Sequence, residues 1–412
     1  MRKTLIKEYA KLLVRTGLVV HKGQTVVIQA NVDQEDFVAL VSEECYKAGA
    51  KKVLVKWNSQ KVNRIAYKKE SLKNLADPLS FEIEEVKWKA EELPAFLWID
   101  SDDPDGNKGI DANKIAAVRA GRYKALGKYR EAMENRYQWC IAGAPSPAWA
   151  KKIFPNERKT VAMEKLWEAI LLTSRASDGR GVENWAKHDA ELKKRCEYLN
   201  SLRLGKLHYT SSNGTDLTVG LIPGVIFLGG GEKTIGADFE FQPNIPSEEC
   251  FTSPKKGEAE GIVYSAKPLV YNGQMIRNFH LVFHKGKAVE AYAEEGQDAL
   301  RSILSLDEGS AYLGECALVP FDSPINNTGL LFYNTLYDEN ACCHLALGQG
   351  FYDLYPDFEK YNEKELQSFG INHSLSHVDF MIGSEDLNIV GTTEKGEEIA
   401  IFKNGNWAFS FR

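Results

Sequence analysis

The sequence predicts two successive domains. An α/β N-terminal domain, a parallel sheet with its helices, spans residues 1–200. A mainly antiparallel, β-rich α+β C-terminal domain spans 201–412. Three observations lead there. The chain has 412 residues, two to three times the usual domain of about 150. In its first half, short β-rich runs alternate with helical patterns, as parallel β-α-β units require. After Leu202, strands follow one another closely across glycine-containing turns, which implies antiparallel pairing.

Leu5, Tyr9, Leu12 and Leu13 recur at helical spacing, while Lys7, Lys11 and Arg15 interrupt the apolar run. The N-terminus therefore reads as an amphipathic helix and not as a secretory leader. Thr25 to Ala30 and Lys52 to Trp57 read as strands flanking a helix that carries Phe37, Leu40, Val41 and Tyr46, which makes a parallel pair. Ala95 to Ile99 runs into Asp100, Asp102 and Asp103, and Trp139 to Ala142 runs into the turn-rich APSPAW. No GxGxxG follows any of these strands, so a dinucleotide site is not expected. From Val161 to about Leu199 the pattern is helical. Beyond it, Asn213-Gly214 marks a hairpin and Gly229 to Gly231 a further turn. More strand runs cover Gly261 to Val270, Arg277 to Phe283 before the Lys285-Gly286 turn, and Ile399 to Phe402 before Asn404-Gly405.

Composition narrows the function. Fifty-one Lys and Arg against 57 Asp and Glu leave a formal charge of -6, without the basic excess of a nucleic-acid binder. No stretch approaches the roughly 20 apolar residues of a membrane span. The seven cysteines are odd in number, dispersed, and form no CxxC. A reduced, cytoplasmic protein whose thiols serve as small core residues is the expectation.

The chemically suggestive residues lie in the second half. His377-Val378-Asp379 on a strand would put an imidazole and a carboxylate on one face, able to share an ion. Asp338 to Gly348 reads as a helix with an acidic start and a glycine stop, from which His344 projects. Glu339, five residues earlier and about 140° around an ideal helix, reaches the same centre only from a frayed first turn. The plainer alternative makes Asp338 an N-cap and His344 an ordinary half-buried histidine. Glu248 and Glu249 lie beside an apolar run. Glu315 sits within LGECALV, either on the solvent face of an edge strand or buried against a cation that offsets its desolvation. His280 and His284 stand about 13 Å apart along a strand, too far for one ion. Ser310, Ser374 and Ser376 lack a nucleophile-elbow context.

Read in order, NIPSEECFTSP, LGECALV, NTLYDENACCHLALG and NHSLSHVDFMIG resemble the metal-binding motifs of the aminopeptidase T and aminopeptidase S family of metallo-exopeptidases. The similarity extends through NGTDLTVGL and GADFEFQPNIPSEE, and more faintly through KGQTVVI and YKAGAKKVLVKW. The resemblance implies a C-terminal domain holding two divalent ions (Zn, Co, Mn or Mg), peptide substrates with a free N-terminus, and a homodimer. It makes Glu249, Glu315, His344, His377 and Asp379 ligands, with Glu315 as bridge and Glu339 as a sixth. The implied chemistry is attack by a metal-activated bridging water, with Glu249 and Glu315 acting as catalytic carboxylates. One position departs from the family. Seven residues after the histidine of the HxALG segment, where the family has a tyrosine, this chain has Phe351, followed by Tyr352. Either Tyr352 takes over as the catalytic phenol or the enzyme works without one. Two other functions remain open on the sequence, a metal-dependent amidase or deacylase and a catalytically weakened peptide-binding protein.

Overall fold

The computed structural model describes residues 2–411. The chain forms two compact units, one running to Lys187 and including Gly231–Pro246, the other made of His188–Gly230 and the chain from Ser247 onward.

In the first unit, β1 (Thr25–Asn31), β2 (Lys52–Asn58), β3 (Ala95–Asp100) and β4 (Trp139–Gly143) lie parallel in the order β2-β1-β3-β4. The two-residue strand Asn244–Ile245 joins β4 as a fifth parallel member, too short to show any periodicity in sequence. Val26, Ile28 and Ala30 of β1 are buried while Gln29 is exposed, so the two faces of the sheet differ. The following helix, Glu35–Ala48, has Glu35 and Asp36 in its first turn, where they complement the helix dipole. It ends at Gly49, whose φ of 100° lets its backbone turn back on the last carbonyls. Because the chain leaves β1 for β2 on one side and returns to β3 on the other, the strand order reverses between β1 and β3. A crevice at their carboxyl ends follows from that topology.

In the second unit a nine-stranded sheet contains the expected hairpin of Leu204–Thr210 and Asp216–Leu221. Its turn depends on Gly214 at φ 102°. The run from Gly261 to Val270 is divided between two strands, Pro254–Tyr264 and Leu269–Tyr271. A separate four-stranded antiparallel sheet places His377–Met381 beside His344–Gly348, then Leu313–Leu318, then Cys250–Thr252.

The helix expected from Asp338 to Leu347 is not formed. A single turn, Thr335–Asp338, passes into the 3-10 turn Glu339–Ala341, and the chain is extended from Cys342 onward. His344 therefore stands on a strand and Gly348 ends that strand. All five residues His344–Gly348 are buried, and a strand covered on both faces shows the same unbroken apolar run as a buried helix. Asp338 is likewise not an N-cap. It ends its helix, and its carboxylate accepts the N–H groups of Phe332 (2.8 Å) and Asn334 (3.0 Å). Among the described residues no helix is long and apolar enough to cross a membrane.

Candidate metal centre

The four-stranded sheet has two chemically different faces because side chains alternate along each strand. On one face Cys250, Cys316, Leu318, Leu345, Leu347, Val378 and Phe380 join the main hydrophobic core of the second unit. The register sets the other. Glu315 is opposite Ala346, and Ala346 is opposite Asp379. Ala317 is opposite His344, and Gly348 is opposite His377. Directly paired residues share a face, so two carboxylates and two imidazoles project the same way, with Ala317, Ala346 and Gly348 leaving room between them. Gly348 has φ 106°, and a Cβ there would lie 2.0 Å from the Ser376 carbonyl. A side chain at 348 would push the His377 strand away.

Glu249, just before the edge strand Cys250–Thr252, brings a further carboxylate to within 3.3 Å of His344 Nε2. His377 Nε2 lies 3.0 Å from Glu315 Oε2 and 3.1 Å from Asp379 Oδ1. The other ring nitrogen of His377 donates to the Gln349 carbonyl at 2.7 Å. A carbonyl only accepts, so this bond keeps a proton on Nδ1 and leaves Nε2 as the nitrogen that faces the carboxylates. Glu249, Glu315 and His344 form one group whose donor atoms lie within 4.8 Å of one another, and Glu315, His377 and Asp379 form a second. Glu315 belongs to both. Glu339, on the 3-10 turn, is close enough for the charges of Asp379, Glu249, His344 and Glu315 to act on it.

Glu315 is 4% exposed, so it is not the solvent face of an edge strand. Among the described residues its ion pairs, and those of Glu249 and Asp379, are with imidazoles only. Buried carboxylates without Lys or Arg partners are costly unless they are protonated, paired with protonated imidazoles or neutralised by an ion. The electrostatics reflect that crowding. Burial pushes the Glu339 carboxyl well above the usual range, and the Asp379 and Glu249 charges add to it. Burial also raises Glu315, although His377 opposes this. For His344, burial favours the neutral ring, but its bond to Glu249 and the charges of Glu315 and Asp379 outweigh it and push the pKa up to about 10. His377 is raised in the same way by Asp379 and Glu315. The donor set, carboxylate oxygens with imidazole nitrogens, suits divalent Zn, Mn or Co.

Tyr352 lies apart from these contacts. Its hydroxyl pairs with His373 Nδ1 at 3.3 Å and accepts from Gln367 at 3.2 Å. Phe351 faces the cluster, its ring 5.2 Å from that of His377 and 5.2 Å from Phe251.

The supporting residues left little trace in the sequence. Asn340 accepts the Glu248 N–H at 2.7 Å, and the buried His188 reaches the Ser247 carbonyl at 2.7 Å, so both hold the segment that presents Glu249. Asp307 accepts from Ser374 and from the Leu375 N–H, fixing the loop before His377. Each pair is 59 or more residues apart in the chain, and no local pattern encodes it. Asn340, inside the DENA segment, and Ser374, inside NHSLSHVDFMIG, lay in motifs already singled out; His188 and Asp307 did not.

The thermophilic metalloprotease (M29) family model matches residues 2–407. Aminopeptidase AmpS of Bacillus subtilis is 42% identical over 98% of both chains, and Aminopeptidase 2 of Geobacillus stearothermophilus is 38% identical over 98% of both. The solved structure of wild-type AmpT from Thermus thermophilus superposes with a TM-score of 0.91 at 34% identity, covering 99% of this chain and all of that one. With agreement in sequence and in fold running from one end to the other, the chain belongs to the thermophilic metalloprotease (M29) family.

Proposed function

We propose that this protein is a metal-dependent aminopeptidase that releases N-terminal residues from peptides, with 201–412 as its catalytic domain. The observation that carries the reading is the pair of donor groups sharing Glu315, a geometry suited to two neighbouring divalent ions bridged by one carboxylate. Glu249 and His344 would hold one ion, His377 and Asp379 the other, with Glu339 at the margin of both. Bound there, the ions would supply Lewis acidity and would lower the pKa of a water activated for attack. The protein's own contribution is positional. Gln349 holds the His377 ring, Asn340 and His188 hold the Glu249 segment, and the apolar face beneath keeps the strands from shifting. The carboxylate left over from ion binding, Glu339, would receive the substrate's ammonium and so select a free N-terminus.

The aminopeptidase names of the relatives support this reading over an amidase or deacylase. Comparing an aminoacyl anilide with its Nα-acetylated twin tests it. The free amine should be hydrolysed at least about 100-fold faster, the scale of losing a paired charge. Equal rates would leave the amidase reading standing.

The position of Phe351 supports catalysis without the family phenol, since the Tyr352 hydroxyl is engaged with Gln367 and His373. Tyr352→Phe should then leave kcat within about twofold. Phe351→Tyr should raise it by up to about tenfold, by placing a donor beside His377. A loss of 10- to 1,000-fold in Tyr352→Phe, with metal content intact, would restore Tyr352 as the catalytic phenol.

The protein is further read as a cytoplasmic homodimer that binds neither nucleic acid nor membranes. Seven free, buried cysteines fit a reducing compartment. Val62, Ile65, Leu79 and Phe81 are each at least 60% exposed, and exposed apolar side chains are what self-association covers. Sedimentation equilibrium should return twice the chain mass. Val62→Glu with Phe81→Glu should lower it toward one.

A further inference from the structure

The first unit carries a cleft of about 490 Å³ at the carboxyl ends of its parallel strands, within the size range of small-molecule sites. It lies at the strand-order reversal between β1 and β3. One face of the sheet is covered near its middle, where Val27 and Phe96 pack with Trp88, Leu93 and Met133. One row further along, Gln29 is paired with Trp98, and Trp98 with Ile141, and there the face opens.

The lining is specific in chemistry. Trp98 and Trp139 meet edge to face, their ring centroids 6.4 Å apart at 75°, and Tyr137 lies alongside. Asp100 and Asp102 supply carboxylates, and among the described residues that line the cleft none is Lys or Arg; Lys56, opposite Gln29, is engaged with Glu85. A relay of amides runs toward one of these acids. Asn63 donates to Asn58 at 2.7 Å, Asn58 to Asn31 at 2.9 Å, and Asn31 to Asp102 Oδ1 at 2.8 Å. The relay holds the Asp102 carboxylate over the cleft. Burial raises the Asp102 pKa, and the charges of Asp100, Asp103 and Asp33 raise it further against the Asn31 bond. A cation in the cleft would relieve that repulsion. Phosphate ligands are disfavoured by the same charges, and no glycine-rich phosphate loop follows these strands.

We propose that this cleft binds an organic cation, a guanidinium or primary ammonium borne by an amino acid or peptide. It sits against the Trp98 and Trp139 rings and pairs with the Asp100 and Asp102 carboxylates. Aromatic faces and carboxylates together favour such groups over neutral ones. No residue lining the cleft belongs to the metal-binding groups, and the proposal does not depend on the aminopeptidase reading, because it is read by binding and not by turnover.

Calorimetric titration of the full chain with Nα-acetyl-L-arginine N-methylamide is the test. The blocked amine keeps this probe from mimicking an aminopeptidase substrate. One site per chain is expected, at least about tenfold stronger than for the neutral citrulline counterpart. Free arginine in a parallel titration identifies the source. Tighter binding of the blocked probe indicates a peptide-borne cation, and tighter binding of arginine a free amino acid. Asp102→Asn, isosteric at an exposed position, and Trp98→Phe, which keeps an aromatic ring at a half-buried one, should each weaken binding about tenfold while leaving metal content unchanged. No saturable binding, equal binding of the citrulline probe, or unaltered binding in both variants would overturn the proposal.

Discussion

Glu315→Ala is expected to lower kcat by at least about a thousandfold and to reduce bound metal to less than half of that held by the wild-type chain. Glu315 is the residue common to both donor groups. Its loss leaves Glu249 with His344 and Asp379 with His377, two half-sites that each lack the carboxylate fixing the separation of the ions. On the two-ion reading, half-sites without the shared carboxylate would lose most of the several kcal/mol that a paired centre would supply. The fold should survive. Without ions, Glu315 is a buried carboxylate raised by its own burial and by Asp379, so removing it relieves a desolvation cost and opens a cavity of only a few atoms. The metal-free variant should therefore melt no more than a few degrees below metal-free wild type. Glu315→Gln, which keeps the volume but not the charge, should match Ala in activity and metal content. The measurements are elemental analysis after gel filtration and turnover on an aminoacyl anilide. Near-normal turnover with two equivalents bound would remove Glu315 from the centre.

Metal affinity should rise steeply with pH, by about tenfold per pH unit for each proton displaced. The sign follows from the metal-free cluster. His344 has its pKa pushed up to about 10, and His377 is raised by the same kind of neighbours. At pH 7 both rings hold protons that ligation must expel. Glu339 and Glu315 are raised as well, and any proton they retain is also released. Raising the pH toward 10 removes this competition, and lowering it adds to it. Between pH 6 and 8 the affinity for each ion should change by at least about tenfold per unit, one imidazole proton per ion, and that for the pair by about 100-fold. Calorimetric titration of the chelated protein with Zn²⁺ or Mn²⁺, in buffers of different ionisation enthalpy, counts the protons directly. A pH-independent affinity with no proton release would show that the imidazoles are neutral before the ions arrive.

The sequence alone determined the alternation that makes the first sheet parallel, because β-rich runs separated by an amphipathic helix leave no other pairing for Thr25–Asn31 and Lys52–Asn58. It determined the Asn213-Gly214 hairpin, which only a residue free to adopt positive φ can close. It also placed His377 and Asp379 on one strand face, since a period of two is a local property. The tertiary structure decided the rest. Whether CHLALG is helix or strand depends on partners on both sides, and those come from Leu313–Leu318 and His377–Met381. The burial of Glu315, the approach of Glu249 to His344, and the turn of the Phe351 ring toward His377 in place of the Tyr352 hydroxyl arise from contacts spanning many tens of residues or from a loop trajectory. The open cleft above Trp98 has the same origin. Single runs of sequence specify faces and turns, but long-range register decides which faces meet, and the energy of a buried carboxylate is set by what meets it.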